Sequence, residues 1–426
     1  MSRYSSLIFS SIVAGLMLVT ACGKDPEPVP VDPVDPQEEE DVDDDSTVYE
    51  SSGNKRFPIF AWYSLEPGHL KPESYRNMYD CGFDISYSQL LSIRDVKESL
   101  EAAKGTGVKL CCRLGSFSAS QVQMIKDHEQ LWGYYIGDEP SADQFAECKK
   151  NIDVVMAADP SHPCYLNLFP NYASEEQMGV ATYEEYIRRY ISEVGTPYIS
   201  YDNYPIVGSP GVMRPTFFKN LEIVSRLSKE AGIPFYAFTL STIHLSYLTV
   251  TAGTMRFSAW CDLAFGAQML EYYTYTTTPN DNFTSAILNK DYSRNVLYDH
   301  AKQLNAEIHG LSDVFVGCDV KRVGCIGAKA EYDGLPSWSK TELPDHFKSL
   351  TPSGQGVLIS EFTNGDDRYV MLVNLDFDKT QDVSVGIVGT VTEFVADPSV
   401  KSHFKVRPAK EKRQIAPGDM ALYKVG

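Results

Sequence analysis

Two carboxylates stand side by side in Gly137-Asp138-Glu139-Pro140, directly after the apolar run 131–136. Two acids this close resist ionising together, so one keeps its proton to a higher pH than a free carboxyl would. A carboxyl protonated near neutral pH can donate a proton to a leaving group and recover one from water. The plain structural alternative is an Asp-Glu-Pro turn in which one acid caps the helix that follows. Five of the six residues from Leu131 to Ile136 are apolar or aromatic, the composition of a buried parallel strand. Pro140 lacks a backbone N–H and stops that strand, and Ser141-Ala142-Asp143-Gln144 reads as a helix start. Neighbouring strand residues face opposite ways. Both acids therefore reach one cleft only if Gly137 and Pro140 break the strand there.

The elements that must position this pair alternate regularly. Strand-like runs fall at 57–63, 83–87, 108–114, 131–136, 164–169, 198–204, 233–240 and 267–275. Helical patterns lie between them at 73–79, 96–103, 119–129, 143–157, 183–194, 214–231 and 254–265, with 294–309 closing the set. Eight such units over about 250 residues predict an α/β fold, a (β/α)₈ TIM barrel over residues 51–312, in preference to a doubly wound sheet. Beyond Gly310 the texture changes to short alternating segments separated by Gly, Asp, Asn and Pro, which predicts a small antiparallel β-sandwich over 313–426.

In such a barrel the site lies at the C-terminal ends of the strands. Those ends offer Trp62 and Tyr63, Tyr87, Arg113, Asp138 with Glu139, Asn167, Tyr201-Asp202-Asn203-Tyr204-Pro205, then Thr239, Ser241 and His244, and finally Glu271 to Tyr275. Aromatic rings, amides and a few carboxylates at one mouth suit a polyhydroxylated ligand, whose faces stack on rings while its hydroxyls bond to planar polar groups. Tyr63, Arg113, Asn167, Asp202, Tyr204, Glu271 and Tyr273 are accordingly expected to contact substrate. A phosphate ligand would want a Gly-rich loop or basic residues, and a metal would want clustered His. Neither pattern is present, so no cofactor is expected.

The barrel pattern, the acid pair at strand four, Tyr201-Asp202-Asn203-Tyr204-Pro205 at strand six and the trailing sandwich together resemble bacterial glycoside hydrolases. In their large retaining clan strand four ends in Asn-Glu, the Glu serving as general acid/base; Glu139 matches it and Asp138 replaces the Asn. That clan carries its nucleophilic Glu at the end of strand seven, where this chain has no carboxylate from Ile233 to His244. The Asp-Glu pair also resembles hexosaminidase-type families, in which the substrate's own acetamido oxygen attacks. That resemblance implies Asp138 orienting the acetamido group and Glu139 protonating the leaving oxygen. Asp202 and Glu271 are the other acids available as a nucleophile. The rival expectation is an inactive glycan-binding surface lipoprotein on the same barrel.

The formal net charge is −19, but 12 acids and a single lysine lie within residues 23–50. The remaining chain is only mildly acidic with no basic stripe, so nucleic acid is not expected as a partner. Residues 23–50, rich in Pro and acids, read as a disordered tether. Ahead of it, Arg3 and an apolar run to Val19 form a signal segment too short to span a bilayer, ending in Val19-Thr20-Ala21-Cys22. This resembles the lipobox of bacterial lipoproteins, which implies lipidation of Cys22 and an outer-membrane anchor in the cell envelope, on the periplasmic face or the surface. Eight further cysteines show no zinc spacing. Cys111, Cys112, Cys164 and Cys261 read as buried thiols, and Cys318 and Cys325 could cross-link neighbouring strands. Cys22→Ala is expected to abolish incorporation of a labelled acyl chain; undiminished labelling would remove the anchor.

Overall fold

The computed structural model describes residues 45–426. The signal segment, Cys22 and residues 23–44 lie outside the described residues. Eight strands close into a parallel barrel in chain order: β1 (Ile59–Trp62), β2 (Ile85–Tyr87), β3 (Lys109–Arg113), β4 (Leu131–Asp138), β5 (Cys164–Leu168), β6 (Ile199–Tyr201), β7 (Phe235–Leu240) and β8 (Met269–Tyr273). Parallel pairing of β8 with β1, Leu270 opposite Ile59 and Tyr273 opposite Trp62, completes the ring. The interior is a packed core rather than a pore. Phe60 stacks on Tyr165 at 5.2 Å, and Trp62 meets Phe238 edge-on at 5.3 Å.

Helices cover the outside, each placed by an apolar face. The helix expected at 119–129 is only Ala119–Gln123. Beyond it the chain turns, with His128 Nδ1 accepting the Gln130 N–H, to enter β4 at Leu131. The helix expected at 183–194 is α-helical over Tyr183–Arg189 and widens to a π turn over Tyr190–Val194. All eight described cysteines are free thiols, Cys318 and Cys325 among them, and Cys111, Cys112, Cys164 and Cys261 are buried.

After the barrel come nine strands: β9 (Asp319–Ile326), β10 (Phe347–Pro352), β11 (Val357–Asn364), β12 (Asp367–Asn374), β13 (Gln381–Ile387), β14 (Val391–Ala396), β15 (Phe404–Pro408), β16 (Lys412–Ile415) and β17 (Met420–Val425). The large sheet runs β15-β14-β17-β12-β11-β9, and β10-β13-β16 form the small one. Val357, Ile359, Val370 and Leu372 face the small sheet's Leu350, Val383 and Val385. Their neighbours Leu358, Phe362, Met371 and Val373 face the other way, into the barrel's core. Phe362 stacks on Phe315 at 5.8 Å, and Ser360 Oγ donates to the Ala264 carbonyl at 2.6 Å. Arg256 clamps the joint, bonding Glu307 at 2.5 Å and Asp419 at 2.7 Å.

The fold also begins earlier than the tether boundary at residue 50. Thr47 and Val48 pair with Val406 and Lys405 as an edge strand. Tyr49 donates its N–H to Phe404 at 3.0 Å and sets its ring against Phe394 at 5.0 Å. Charge alone does not keep this end of the tether unfolded, because its last residues carry a β-branched pair that extends the sheet and a ring that is half-buried. A chain beginning at Ser51 loses that strand and the ring contact, on the order of 1 kcal/mol, and is expected to melt roughly 2–4 °C lower. An unchanged Tm would show that the edge strand adds nothing.

Candidate active site

The acid pair is delivered by irregularity in β4. In the pairing with β3, Leu110 faces Leu131 but Cys111 faces Gly133, so Trp132 is an extra residue. In the pairing with β5, Tyr135 faces Tyr165 but Gly137 faces Leu166, so Ile136 is a second. Each bulge shifts the alternation by one. Trp132, Tyr135 and Asp138 consequently fall on the barrel side although they are three apart. Gly133 is needed at the first bulge, since a Cβ there would lie 2.5 Å from the Pro163 carbonyl oxygen. Glu139 then takes φ +48°, the left-handed region, while its N–H still reaches the Asn167 carbonyl at 2.9 Å. Gly137 and Pro140 were the expected breaks; the bulge at Ile136 and the backbone of Glu139 itself do most of the turning. The helix start belongs to Ser141 and Gln144, which cap each other's backbone, so neither acid is a cap.

Four carboxyl groups meet around one amide. Asn167 Nδ2 donates to Asp138 Oδ1 at 3.1 Å and to Asp202 Oδ1 at 2.9 Å. Asp202 in turn shares a carboxyl–carboxyl hydrogen bond with Glu139. Below them, Ser200 Oγ lies 3.0 Å from Asn167 Oδ1 and 2.8 Å from Glu271 Oε2, and the Tyr165 hydroxyl donates to Glu271 Oε1 at 2.5 Å. The register explains the depth of Glu271: it lies level with Phe60 and Phe238, two residues below Tyr273 at the strand end. At 0% exposure it lies below the surface that a ligand at the strand ends would meet, unlike the strand-end position expected for it. Asn167, 2% exposed, acts on the acids rather than on a ligand.

This packing sets the protonation. Burial holds Asp138 up to about 6, against the Asn167 bond that favours its charged form. Asp138 is an exposed residue at the end of β4, yet protein packs closely enough around its carboxyl to raise it. Burial and then the Asp138 charge raise Asp202 to about 7. Glu139 is raised well above the usual carboxyl range, by burial first and then by the charges of Asp202 and Asp138. Glu271 rises to about 8 through burial, partly offset by its bonds from Tyr165 and Ser200. Carboxyls raised in this way resist ionising together, and Glu139 and Asp202 titrate as a coupled pair.

The half-buried Tyr63, Tyr135 and Tyr273 face the strand ends around these acids, backed by the buried Trp62 and Tyr87. Tyr135 stacks on Tyr87 at 4.5 Å, Tyr87 meets Trp62 at 4.6 Å, and Tyr63 lies 6.0 Å from Tyr273. Tyr204 stacks on Tyr273 at 5.7 Å but is itself buried, so it backs these rings as well. His244 sits between Tyr247 and Phe283, and burial lowers its pKa, keeping the ring neutral. The Arg113 guanidinium lies over Tyr135 at 5.9 Å. β7 ends in Thr239, Leu240 and Ser241, without a carboxylate, as the sequence indicates. Sequence reading missed Tyr135, whose inward turn follows from the bulges, and Tyr172, Arg214 and Tyr247. Arg214 packs on Tyr172 at 3.9 Å and bonds the Tyr247 hydroxyl at 2.8 Å, across loops whose contact no local pattern signals.

No family model and no curated protein matches this sequence. Solved structures do. A β-galactosidase from Bacillus circulans sp. alkalophilus superposes with a TM-score of 0.61 at 8% identity, over 87% of this chain and 99% of that one. The β-galactosidase of the psychrophilic Marinomonas ef1 gives 0.46 at 11% identity, over 60% of each chain, so this chain spans three fifths of its length. A family 39 glycoside hydrolase from the gut symbiont Bacteroides cellulosilyticus WH2 gives 0.48 at 10% identity, over 88% of this chain and 81% of that one. At these identities the likeness is one of fold: a (β/α)₈ barrel followed by a β-rich region, the architecture that the Bacillus β-galactosidase carries.

The coupling is testable directly. Asp202→Asn removes the charge facing Glu139, so Glu139 is expected to titrate at lower pH by carboxyl-carbon NMR. A carboxyl raised in the folded state stabilises fully below its unfolded pKa of about 4 and loses that contribution as pH rises through its folded value. For Asp202 that window runs from about 4 to about 7. Asp202→Asn should therefore gain Tm relative to the parent chiefly at about pH 8 and above. A Glu139 titration that does not move would show that the two acids are not coupled.

Proposed function

We propose that this chain is a glycoside hydrolase of the cell envelope, held at the outer membrane through Cys22 and acting on an extracellular glycan. The observation that carries the reading is the enclosed Glu139 in contact with Asp202, which holds its carboxyl well above the usual range, beside Asp138 at the strand ends among Tyr63, Tyr135 and Tyr273. The shared architecture with a β-galactosidase supports it. Glu139 is the general acid. It passes its proton to the glycosidic oxygen as the C1–O bond breaks, and Asp202 stabilises the transfer by continuing to share the proton on its return.

Separation bears on which group attacks C1. Paired carboxyls in retaining enzymes stand about 5–5.5 Å apart and in inverting enzymes about 6.5–9.5 Å. Glu139 and Asp202 are in direct hydrogen-bond contact, too close to seat a sugar carbon or a water between them. Glu271 is sealed below the mouth. The remaining route uses the substrate: a 2-acetamido oxygen attacks C1 while Asp138, ionised above about 6, orients the amide N–H and balances the positive charge that develops. Water then opens the cyclic intermediate, giving its proton to the Glu139 carboxylate. The second reading, a glycan-binding lipoprotein without turnover, rests on the missing acid at the end of β7.

Chromogenic glycosides with and without a 2-acetamido group, together with natural glycans, separate these. Glu139→Gln is expected to lose about 10²–10⁴-fold on natural linkages and less on activated aryl glycosides, which need no proton. Asp138→Asn should lose comparably only on 2-acetamido substrates. kcat/KM should rise with pH through about 6 as Asp138 ionises and fall again as the Glu139–Asp202 pair gives up its proton. A Glu139→Gln variant that turns over natural substrate at the parental rate would end the assignment, and binding without any hydrolysis would favour the second reading.

A further inference from the structure

Arg113 stands at the end of β3, opposite Tyr135 in register. Its side chain is half-buried, yet among the described residues its guanidinium makes neither an ion pair nor a hydrogen bond, only the ring contact with Tyr135. Other enclosed arginines here are spent on the fold. Arg256 binds Glu307 and Asp419, Arg413 binds Glu393, and Arg226 binds Glu184 and Glu222. Arg214, on the opposite rim, is held by the Tyr247 hydroxyl and the Tyr204 carbonyl. A guanidinium carries five N–H donors in a fixed planar fork, and here the protein takes none of them.

The place of that acceptor is set by the rings. Arg113 lies opposite Tyr135 across the pairing of β3 with β4, its guanidinium 5.9 Å from that ring, and Asp138 follows Tyr135 on the barrel side of β4. Tyr135 packs through Tyr87 to Tyr63, so these rings join the cation to the acid end of the strand. A sugar resting on these rings with its glycosidic oxygen at Glu139 turns another of its substituents toward Arg113.

We propose that Arg113 is a specificity-determining residue that receives an anionic substituent, a carboxylate or a sulfate ester, on the bound sugar. The proposal rests on the glycan reading above and narrows it to acidic glycans. A planar guanidinium takes either anion through two parallel N–H···O bonds, a geometry that a neutral hydroxymethyl group cannot match. Glu139 and Asp202 resist ionising together and Glu271 is sealed away, so Asp138 is the one nearby acid whose charge the anionic substituent must keep clear of.

Calorimetric titration of the full chain with matched sugars tests it: glucuronate against glucose, galacturonate against galactose, and 6-sulfated against plain N-acetylglucosamine. At least one acidic member is expected to bind about tenfold or more tightly than its neutral partner, and whether that is a uronate or the sulfate identifies the anion. Arg113→Gln should bring that ratio to about one, and Arg113→Lys should restore part of it, with Tm unchanged in both. Equal binding of acidic and neutral members, no binding of either, or a ratio that survives Arg113→Gln would overturn the proposal. The same ratio measured in Glu139→Gln keeps the two readings apart: acid selectivity without any hydrolysis by the parent chain sinks the hydrolase and leaves Arg113 as the selector.

Discussion

A carboxylic acid stays protonated at neutral pH only where water cannot solvate its charge and another negative charge stands close by. Glu139 meets the first through its enclosure and the second through Asp202 and Asp138, and much of the barrel serves that arrangement. β4 contributes two bulges to turn its end inward, β5 contributes Asn167 to fix Asp138 and Asp202 at once, and β6 brings Asp202 across. Ser200, Tyr165 and Glu271 below prevent the amide from rotating, since its carbonyl oxygen faces the Ser200 hydroxyl. The acids stand at the mouth, but their geometry is fixed two layers down.

The β-rich region contributes rigidity of another kind. Its large sheet is apolar on both faces, one against the small sheet and one against the helices of the barrel. A sheet of that kind has no solvent-facing side and does not stand alone as a soluble unit. Barrel and sandwich are separable in sequence texture, yet they share one core, with Arg256, Glu307 and Asp419 closing the seam.

The eight barrel strands were legible because each is a dense apolar run between turn residues, and period and count together leave few architectures. The acid pair was legible because it interrupts such a run. Depth was not: Glu271 reads like any strand-end acid until register places it two residues below the mouth. Nor was phase, because a bulge leaves no clear mark in composition, so Tyr135 reads as an outward residue. Three sandwich strands, β10, β15 and β16, were missed because Lys, Arg, Ser and Pro break their alternation and only their partners across the sheet define them.

Five described residues other than glycine hold a positive φ, and four of them, Tyr63, Glu139, Leu245 and Tyr292, follow barrel strands at the same end. An L side chain in that conformation costs on the order of 1–2 kcal/mol. The mouth is therefore stocked with unfavourable backbone that the rest of the barrel must hold in place. Selection for stability alone would replace Glu139 with Gly or Asn, which adopt that conformation more readily. A sequence that keeps an acid there sits away from its stability optimum, and random drift toward a sturdier protein would pass through loss of the acid before loss of the barrel. Durability and chemistry thus compete at a single backbone angle.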